Sequence, residues 1–559
     1  MHTASITIDG RKLLVDSKQT IIEAAASNGI NVPHFCWHPK LSVSGNCRIC
    51  LVEVEKMPKL VIACMTQVSD GMIINTTNDR VINAREAVME FILLNHPLDC
   101  PICDEAGECK LQDYAFSHSS GFSRFNEDKV HKPKRVELGQ HVMFDAERCI
   151  LCSRCIRFCD EIAGKHQLQF VQRGDNTTIE TFPGEKLDNP YSMNVVDICP
   201  VGALTNTDFR FKSRVWEMSF TNSICTSCSR GCNIEVGVRN NEVLRLAPRL
   251  NENVNSYWMC DNGRLNSFKN INSSSRINLS QIKIGNNYSD IIWEAAIQNI
   301  VDNLKVFKKN EVAFLLSSEA TNEDNYIMFK FAKEAFSTEN IYCYKHTEMN
   351  DEDDILIRGD KTPNSFGVET LGINPSDLQE LIQKINLGEI KAIYSLEDSF
   401  QENEDLFNSF SQLKYFALHA TNNSKFTTIA NIVLSASTSF EKSGTIINFQ
   451  GQIQRLIPSI ATEEDERSLD GFELSRWDKF AAWNDKWGKG PKRNSRSSWK
   501  IVSEVANNFG MKLKFKSSEE VFLELTQKKS AFSGMTYLKL GSQGMKIKDK
   551  NINSEVKLA

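Results

Sequence analysis

The sequence predicts a multidomain protein, α+β in its first half and α/β in its second, on three observations. The amino terminus reads as a hairpin followed by a short helix. Sixteen of the 17 cysteines fall before residue 261, nearly all in short-gap groups. Residues 275–460 alternate strand-like apolar runs with helical segments. A length of 559 residues requires several domains. The formal net charge of −6 points to no polyanionic partner such as nucleic acid. No apolar run reaches the roughly 18 residues of a membrane span. Met1 leads almost directly into Ser5-Ile6-Thr7-Ile8-Asp9-Gly10, with neither an apolar signal core nor an Arg-rich leader, so a cytosolic location is expected. Cysteines grouped this closely in a long cytosolic chain read as metal ligands rather than as a disulfide scaffold.

Taken in order, Ser5–Ile8 and Lys12–Val15 flank Asp9-Gly10 as a hairpin. Thr20–Ala26 then forms a helix stopped by Asn28-Gly29, which makes a β-grasp beginning. Cys36, Cys47, Cys50 and Cys64 give C-x10-C-x2-C-x13-C, a longer-looped relative of the plant-type pattern that holds [2Fe-2S]. Gly45 is expected to let the backbone approach the cluster. Arg48, between two ligands, either biases the potential upward or is a solvated loop residue. Residues 1–80 are therefore a plant-type [2Fe-2S] ferredoxin domain.

Val88, Phe91 and Ile92, with Leu93-Leu94, predict an amphipathic helix over 83–95. It ends at His96-x3-Cys100-x2-Cys103-x5-Cys109. A histidine at a helix end ordinarily caps the last carbonyls. Here only three cysteines are at hand, a cube needs four ligands, and imidazole replaces thiolate on iron in Rieske centres. His96, Cys100, Cys103 and Cys109 are thus expected to hold a [4Fe-4S] cluster within a segment 81–120, its potential shifted by the neutral ligand.

Cys149-x2-Cys152-x2-Cys155, closed by Cys199-Pro200, is the ligand set by which ferredoxins hold a [4Fe-4S] cube. In a two-cluster ferredoxin a second triplet would precede Cys199, but those positions hold Asn189, Ser192 and Val195. One cube is expected in this ferredoxin-like domain, 121–217, and Cys159, followed by Asp160, is left as a spare thiol. Zinc could use the same four sulfurs; Cys-Pro and the neighbouring groups favour iron–sulfur. Arg154 and Arg157 either offset cluster charge or pair with Asp160 and Glu161. Cys225-x2-Cys228-x3-Cys232-x27-Cys260 follows, within the alternating runs 233–238 and 242–246. A zinc ribbon is the alternative, but its second half supplies one cysteine only, so 218–274 is expected to hold a third [4Fe-4S] cluster. The total is one [2Fe-2S] and three [4Fe-4S] clusters on fifteen cysteines and His96.

In 275–460, Trp293-Glu294-Ala295-Ala296 opens a helix, and 312–316 and 391–395 read as buried strands, which suggests α/β layers. No Walker A or G-x-G-x-x-G motif supports nucleotide binding. Cys343 reads as a buried structural thiol. Residues 461–559 form a basic C-terminal extension; from about 485 on, with Lys489–Arg496 as its most basic piece, it reads as a linker, a docking surface for an acidic neighbour, or disorder.

These motifs resemble those of the large iron–sulfur subunit of respiratory complex I, NADH:quinone oxidoreductase (the 75-kDa type, called G in bacteria). The resemblance rests on Pro33–Trp37, Gly45–Cys50, Cys100–Asp104, Cys109–Gln112 and Arg148–Phe158, and it is strong over 1–275. Ala106 stands where the family more often has Gly. The resemblance implies that the first three clusters lie on a path from flavin to quinone, coupled in the whole complex to proton translocation. It implies a flavin-bearing NADH-oxidising subunit, a small [2Fe-2S] subunit and connecting iron–sulfur subunits as partners. It also implies a peripheral place on the cytoplasmic side of a bacterial inner membrane. Cys225, Cys228, Cys232 and Cys260 match an additional cube of some bacterial members, which implies a bacterial source.

Region 218–455, with Gly444–Asn448 and Gly451-Gln452, is similar to molybdopterin oxidoreductases. Active members carry a lysine where this chain has Asn262, and a cysteine or selenocysteine directly before a histidine, which Cys343-Tyr344-Lys345-His346 does not offer. A degenerate molybdopterin-oxidoreductase-like domain without molybdopterin is expected, trimmed in a chain short for the family. The alternative is a catalytic subunit of a molybdenum or tungsten formate dehydrogenase, or of an iron hydrogenase. Hydrogenases need cysteine motifs beyond residue 260, where only Cys343 stands.

Overall fold

The computed structural model describes residues 3–348, 350–376, 378–397, 400, 403–464, 472–473 and 491–547. The chain forms two compact units, Met1–Val215 and Trp216–Ala559.

In the first unit, β1 (Thr3–Ile8) and β2 (Arg11–Asp16) pair antiparallel with Ile8 opposite Arg11. The two-residue turn Asp9-Gly10 is left-handed at both positions, φ 47° and 79°, as a turn matching strand twist requires. α1 (Ile21–Ser27) starts on a capping box of Thr20 and Glu23. β3 (Leu51–Val54), β4 (Val61–Ile62) and β5 (Ile73–Asn75) complete a sheet of order β2-β1-β5-β3-β4, with β5 parallel to β1. Ile6, Ile8, Val52 and Ile74 bury against Ile21, Ala24 and Ala25 of α1, which is the expected β-grasp.

α2 (Asp79–Leu93) begins four residues before the expected Asn83. The reason is a cap: the Asn78 side chain accepts from Val81 N at 3.0 Å, and Asp79 sits favourably at the positive end of the helix dipole. α3 (Lys110–His118) follows. β6 (Val136–Glu137), β7 (Val142–Phe144) and, later, β10 (Leu204–Asn206) make a three-stranded sheet. Between them lie α4 (Arg154–Glu161), the hairpin β8 (Leu168–Val171) and β9 (Thr178–Thr181), and α5 (Asn194–Ile198). Asn189, Ser192 and Val195 are buried; Asn189 donates to Gln167 Oε1 at 2.7 Å.

The second unit opens with β11 (Ser219–Ile224), β12 (Asn233–Arg239) and β13 (Glu242–Pro248), consecutive antiparallel strands. α6 (Asp261–Asn266) and the hairpin β14 (Gln281–Ile284)–β15 (Asn287–Asp290) lead to α7 (Trp293–Val306) and β16 (Val312–Ser317). Then come α8 (Asn322–Phe331), β17 (Ile341–Tyr344), α9 (Ser365–Thr370), α10 (Gln379–Asn386) and β18 (Ala392–Ser395). α11 (Glu404–Phe410), β19 (Tyr415–Ala420) and β20 (Ile432–Ser435) complete a seven-stranded sheet of order β15-β14-β20-β19-β18-β16-β17. Its five parallel strands follow the doubly-wound order with one switch point, between β16 and β18. All six residues of β16 are buried, as a central parallel strand covered on both faces requires.

β21 (Gly444–Ile447) and β22 (Gln452–Leu456) form a further hairpin, and β23 (Phe472–Glu473) pairs with β11. α12 (Ser498–Asn508), α13 (Ser518–Lys528), α14 (Tyr537–Leu540) and β24 (Met545–Lys546), which adds to β22, end the described chain. The expectation of a linker beyond residue 485 is corrected over 498–540. Trp499, Val502, Val505 and Ala506 recur on one face of α12 and bury in the same core as α8. The basic composition hid that stripe. Lys489 and Gly490 lie outside the described residues.

Candidate functional site

The first-half cysteines gather by the elements that carry them. Pairing of Leu51 with Ile62 across β3 and β4 sets Cys50, just before β3, beside Cys64, just after β4. The Cys50 and Cys64 thiols lie close enough to perturb each other's acidity, as do those of Cys36 with Cys47 and with Cys64. Cys36 N also donates to Cys47 Sγ at 3.4 Å. Gly45 is held by its own backbone, φ 64°, and by Ile62 Cδ1, 3.1 Å from where a Cβ would stand. Arg48 is exposed, with a left-handed φ of 62°.

His96, Cys100, Cys103 and Cys109 line one cavity of about 420 Å³. Lys129 Nζ, not the His96 ring, caps α2, donating to Leu93 O (3.1 Å) and Leu94 O (2.7 Å). The His96 ring makes no hydrogen bond among the described residues, and burial lowers its pKa to about 4, so the imidazole is neutral at pH 7 and its lone pair is free for a metal. Asp99 ties this loop to the next group, accepting from Lys134 (2.6 Å) and from Arg148 (3.0 Å), the residue before Cys149.

Cys149, Cys152, Cys155 and Cys199 form a third group, in which burial and the other three sulfurs hold the Cys155 thiol well above its ordinary range. Leu151 (φ 54°) and Ser153 (φ 62°) are left-handed although neither is glycine. Alternating hands turn successive N–H groups to one side of a loop, and Leu151 N donates to Cys149 Sγ at 3.4 Å. Cys159 is buried on α4, its thiol pushed up to about 12 by burial. Arg154 and Arg157 do not pair with Asp160 and Glu161. Asp160 accepts from His166 (2.8 Å), and Glu161 takes Ser42 N (2.7 Å). Both arginines instead reach backbone carbonyls: Arg154 those of Ile198 (3.0 Å) and Trp37 (2.5 Å), Arg157 those of Cys36 (2.6 Å), Ser42 and Cys152 (3.3 Å).

The loop after Cys199 has a second face. A Cβ on Gly202 would stand 2.2 Å from Cys103 Sγ, and Cys109 Sγ lies 3.9 Å from Pro200 O. The segment Cys199–Gly202 is therefore a wall shared by two groups.

In the second unit the β11–β12 hairpin, closed by Ile224 opposite Asn233, sets Cys225 against Cys232. Cys260 caps α6, its sulfur accepting from Gly263 N at 3.3 Å. A Cβ at Gly263 would stand 3.0 Å from Cys225 Sγ and 3.3 Å from Cys260 Sγ, so these two sulfurs face each other across a glycine. Burial, with Cys225, Cys228 and Cys260 nearby, holds the Cys232 thiol well above its ordinary value. Asn262 points outward, accepting from Asn266 (2.5 Å). Cys343 is buried on β17, 3.1 Å from Ser318 Oγ.

The fit of these groups to polynuclear iron is testable on their chemistry. Among the described residues no cluster of three or more His, Cys, Asp or Glu closes on a single metal ion. Iron–sulfur clusters spread four ligands over two to four irons, so their ligands need not converge on one point. The buried Arg154 Nε has no acceptor among the described residues, an orphan donor beside Cys36, Cys152 and Cys199 that a cluster sulfur would satisfy. The switch-point crevice of the second unit holds a buried ion-pair cluster. There the Lys442 ammonium is buried between Asp324 (3.1 Å) and Glu397 (2.8 Å), residues that follow β16 and β18.

Comparison with known proteins bears on each segment. Residues 2–79 match a 2Fe-2S iron-sulfur cluster binding domain, 85–124 the NADH-ubiquinone oxidoreductase-G iron-sulfur binding region, and 139–205 the ferredoxin-like domain of NADH-quinone oxidoreductase subunit 3. Residues 219–267 match an NADH-ubiquinone oxidoreductase NDSU1/NuoG-like 4Fe-4S domain, and 363–469 match molybdopterin oxidoreductase. The G-type chain of the NADH-quinone oxidoreductase of Rickettsia felis is 37% identical over 377 residues, 67% of this chain and 55% of the relative. The NADH-ubiquinone oxidoreductase 75 kDa subunit of Reclinomonas americana is 39% identical over 385 residues, 68% of this chain and 55% of the relative. The chain thus spans about half the length of the curated relatives it matches. A solved NAD+-reducing [NiFe]-hydrogenase is 27% identical over 38% of this chain and 91% of that one; its TM-score of 0.35 supports no argument.

Proposed function

We propose that this chain, which belongs to the family of large iron–sulfur subunits of NADH:quinone oxidoreductase, works as an electron wire. It would accept electrons from a flavin-bearing, NADH-oxidising partner and pass them toward quinone through further iron–sulfur partners, with proton translocation left to the rest of the complex. Its place would be peripheral, on the cytoplasmic side of a bacterial inner membrane; among the described residues no helix is long and apolar enough to cross a membrane. Cys36, Cys47, Cys50 and Cys64 would hold [2Fe-2S]; His96, Cys100, Cys103 and Cys109 a first [4Fe-4S]; Cys149, Cys152, Cys155 and Cys199 a second; Cys225, Cys228, Cys232 and Cys260 a third.

When bound, iron–sulfur clusters supply one-electron carriers whose potentials follow charge, hydrogen bonding and burial. The protein's own work is placement. Left-handed Leu151 and Ser153 shape the loop of the second cube. Gly202 and Gly263 keep side chains away from sulfurs they would otherwise strike. Neutral His96 lowers the negative charge of its site relative to a fourth thiolate. The observation that carries the reading is the shared wall: Cys199–Gly202 belongs to one group at its start and touches Cys103 and Cys109 of another. The chain would work without molybdopterin: Asn262 stands exposed where active relatives carry a lysine, and Lys442 is ion-paired with Asp324 and Glu397 at the switch point. The formate dehydrogenase alternative finds no support in that arrangement.

The test is reduction of the anaerobically purified chain followed by visible absorbance. NADH alone is expected to leave the chain oxidised, since the flavin would sit on the partner; dithionite bleaches it, and NADH bleaches it once the flavin-bearing subunit is added. Bleaching of the isolated chain by formate or by hydrogen would overturn the reading in favour of a catalytic subunit.

A further inference from the structure

The groups around Cys36–Cys64 and Cys149–Cys199 are tied by more than proximity. Arg154 is buried, and its guanidinium donates to the carbonyl of Trp37, which follows Cys36, and to that of Ile198, which precedes Cys199. Its own backbone lies between Cys152 and Cys155. Arg157, one turn on, gives one nitrogen to both Cys36 O (2.6 Å) and Cys152 O (3.3 Å), another to Ser42 O, and its Nε to Ser153 Oγ (3.1 Å). Two neutral ties complete the seam: Asn46 Nδ2 to Leu151 O at 2.9 Å, and Ser153 Oγ to Ser44 Oγ at 3.2 Å. Every partner is a residue next to, or within a few positions of, a cysteine of one group or the other.

A guanidinium is a rigid fork that reaches two acceptors at once and keeps its charge at any pH the protein meets. Two such forks fix the distance between two loops and place positive charge between them. Among the described residues neither pairs with a carboxylate; Asp160 and Glu161, the acids nearest in sequence, are engaged by His166 and Ser42. The buried Nε of Arg154 has no acceptor among the described residues.

The geometry points to Arg154 and Arg157 as positioning residues for the electron exchange between these two groups, clamping their separation and favouring the reduced state of both. In that exchange one electron leaves one group and arrives at the other; one is oxidised as the other is reduced, and no bond is made or broken. The inference rests on the electron-wire reading. It adds that two arginines, rather than the cysteines alone, set the rate and potentials at this junction.

The test uses the full chain with its clusters, carrying Arg154→Gln, Arg157→Gln and the matching lysine variants. Midpoints are read by EPR-monitored redox titration, and re-equilibration between the two groups by flash photoreduction. The glutamine variants are expected to lower both midpoints and slow re-equilibration. Lysine, which keeps the charge and loses the fork, is expected to restore the midpoints while leaving the exchange slow. If a glutamine variant fails to assemble, the lysine variants and Asn46→Ala decide, the latter slowing the exchange without moving the midpoints. Unshifted midpoints with a wild-type rate would overturn the inference, and so would a wild-type rate in the lysine variants. A wild-type chain lacking either EPR signal would instead overturn the electron-wire reading itself.

Discussion

At the scale of single residues, close approach matters as much as ligation. A Cβ on Gly202 would stand 2.2 Å from Cys103 Sγ, so Gly202→Ala should cost the chain one cube. Iron per chain is expected to fall by about four while the binuclear signal persists; unchanged iron would show that the loop yields. His96→Cys should keep that cube, with a lower potential because an anionic ligand replaces a neutral one, whereas His96→Ala should lose it; EPR titration distinguishes the two. In the second unit Glu323 is fully buried on α8, accepting from Thr445 N (2.8 Å), Thr445 Oγ1 (3.0 Å) and Tyr537 Oη (2.9 Å), and burial pushes its carboxyl up to about 7. The folded protein holds this proton up to about pH 7, whereas the unfolded chain releases it near 4.5. The contribution is therefore complete below pH 4.5 and lost as pH rises to 7, on the order of 3 kcal/mol. Glu323→Gln should remove that part of the slope in urea unfolding at pH 5 and 8; an identical slope in both proteins would contradict it. The cysteine groups were legible in the sequence because ligand spacing is local. The partners of Arg154 and Arg157 were not, because they are carbonyls up to 121 residues away. Nor was the Lys129 cap on α2, which frees His96 from the capping role a helix-end histidine ordinarily takes.

At the scale of elements, hydrophobic periodicity found the hairpin β1–β2, helix α7 and the buried strands β16 and β18, since each pattern is carried within a few residues. It missed the start of α2, where the signal is a polar cap at Asn78 rather than an apolar stripe. It missed α12 for the opposite reason, a sound apolar stripe beside a run of basic residues. Trp499 on α12 is 4% exposed within the core that also contains α8, so Trp499→Ala should cost roughly 3–5 kcal/mol. Thermal unfolding would register that as a marked drop in Tm, and an unchanged Tm would mean the carboxyl-terminal helices are not part of that core. Gly45, expected to let the backbone approach a cluster, has a second reason to be glycine in its left-handed φ of 64° and the nearby Ile62 side chain; a turn requirement and a close approach look alike in sequence.

At the scale of the whole molecule, the two units differ in what they gather. Met1–Val215 gathers twelve candidate ligands into three groups that share loops, and a chain of carriers needs such neighbours. Trp216–Ala559 keeps a doubly-wound sheet whose switch point, the usual crevice for a ligand in this architecture, holds Lys442 paired with Asp324 and Glu397. Fold class was legible from alternation of elements; the ion-pair cluster at the switch point was not, because Lys442 and Glu397 are 45 residues apart and carry no motif. The most direct measurement is metal content on the anaerobically purified chain, read together with EPR of the reduced sample. One binuclear and three cubane clusters predict about 14 irons with matching acid-labile sulfide and no molybdenum or tungsten. Zinc in place of iron, or stoichiometric molybdenum or tungsten, would contradict the account.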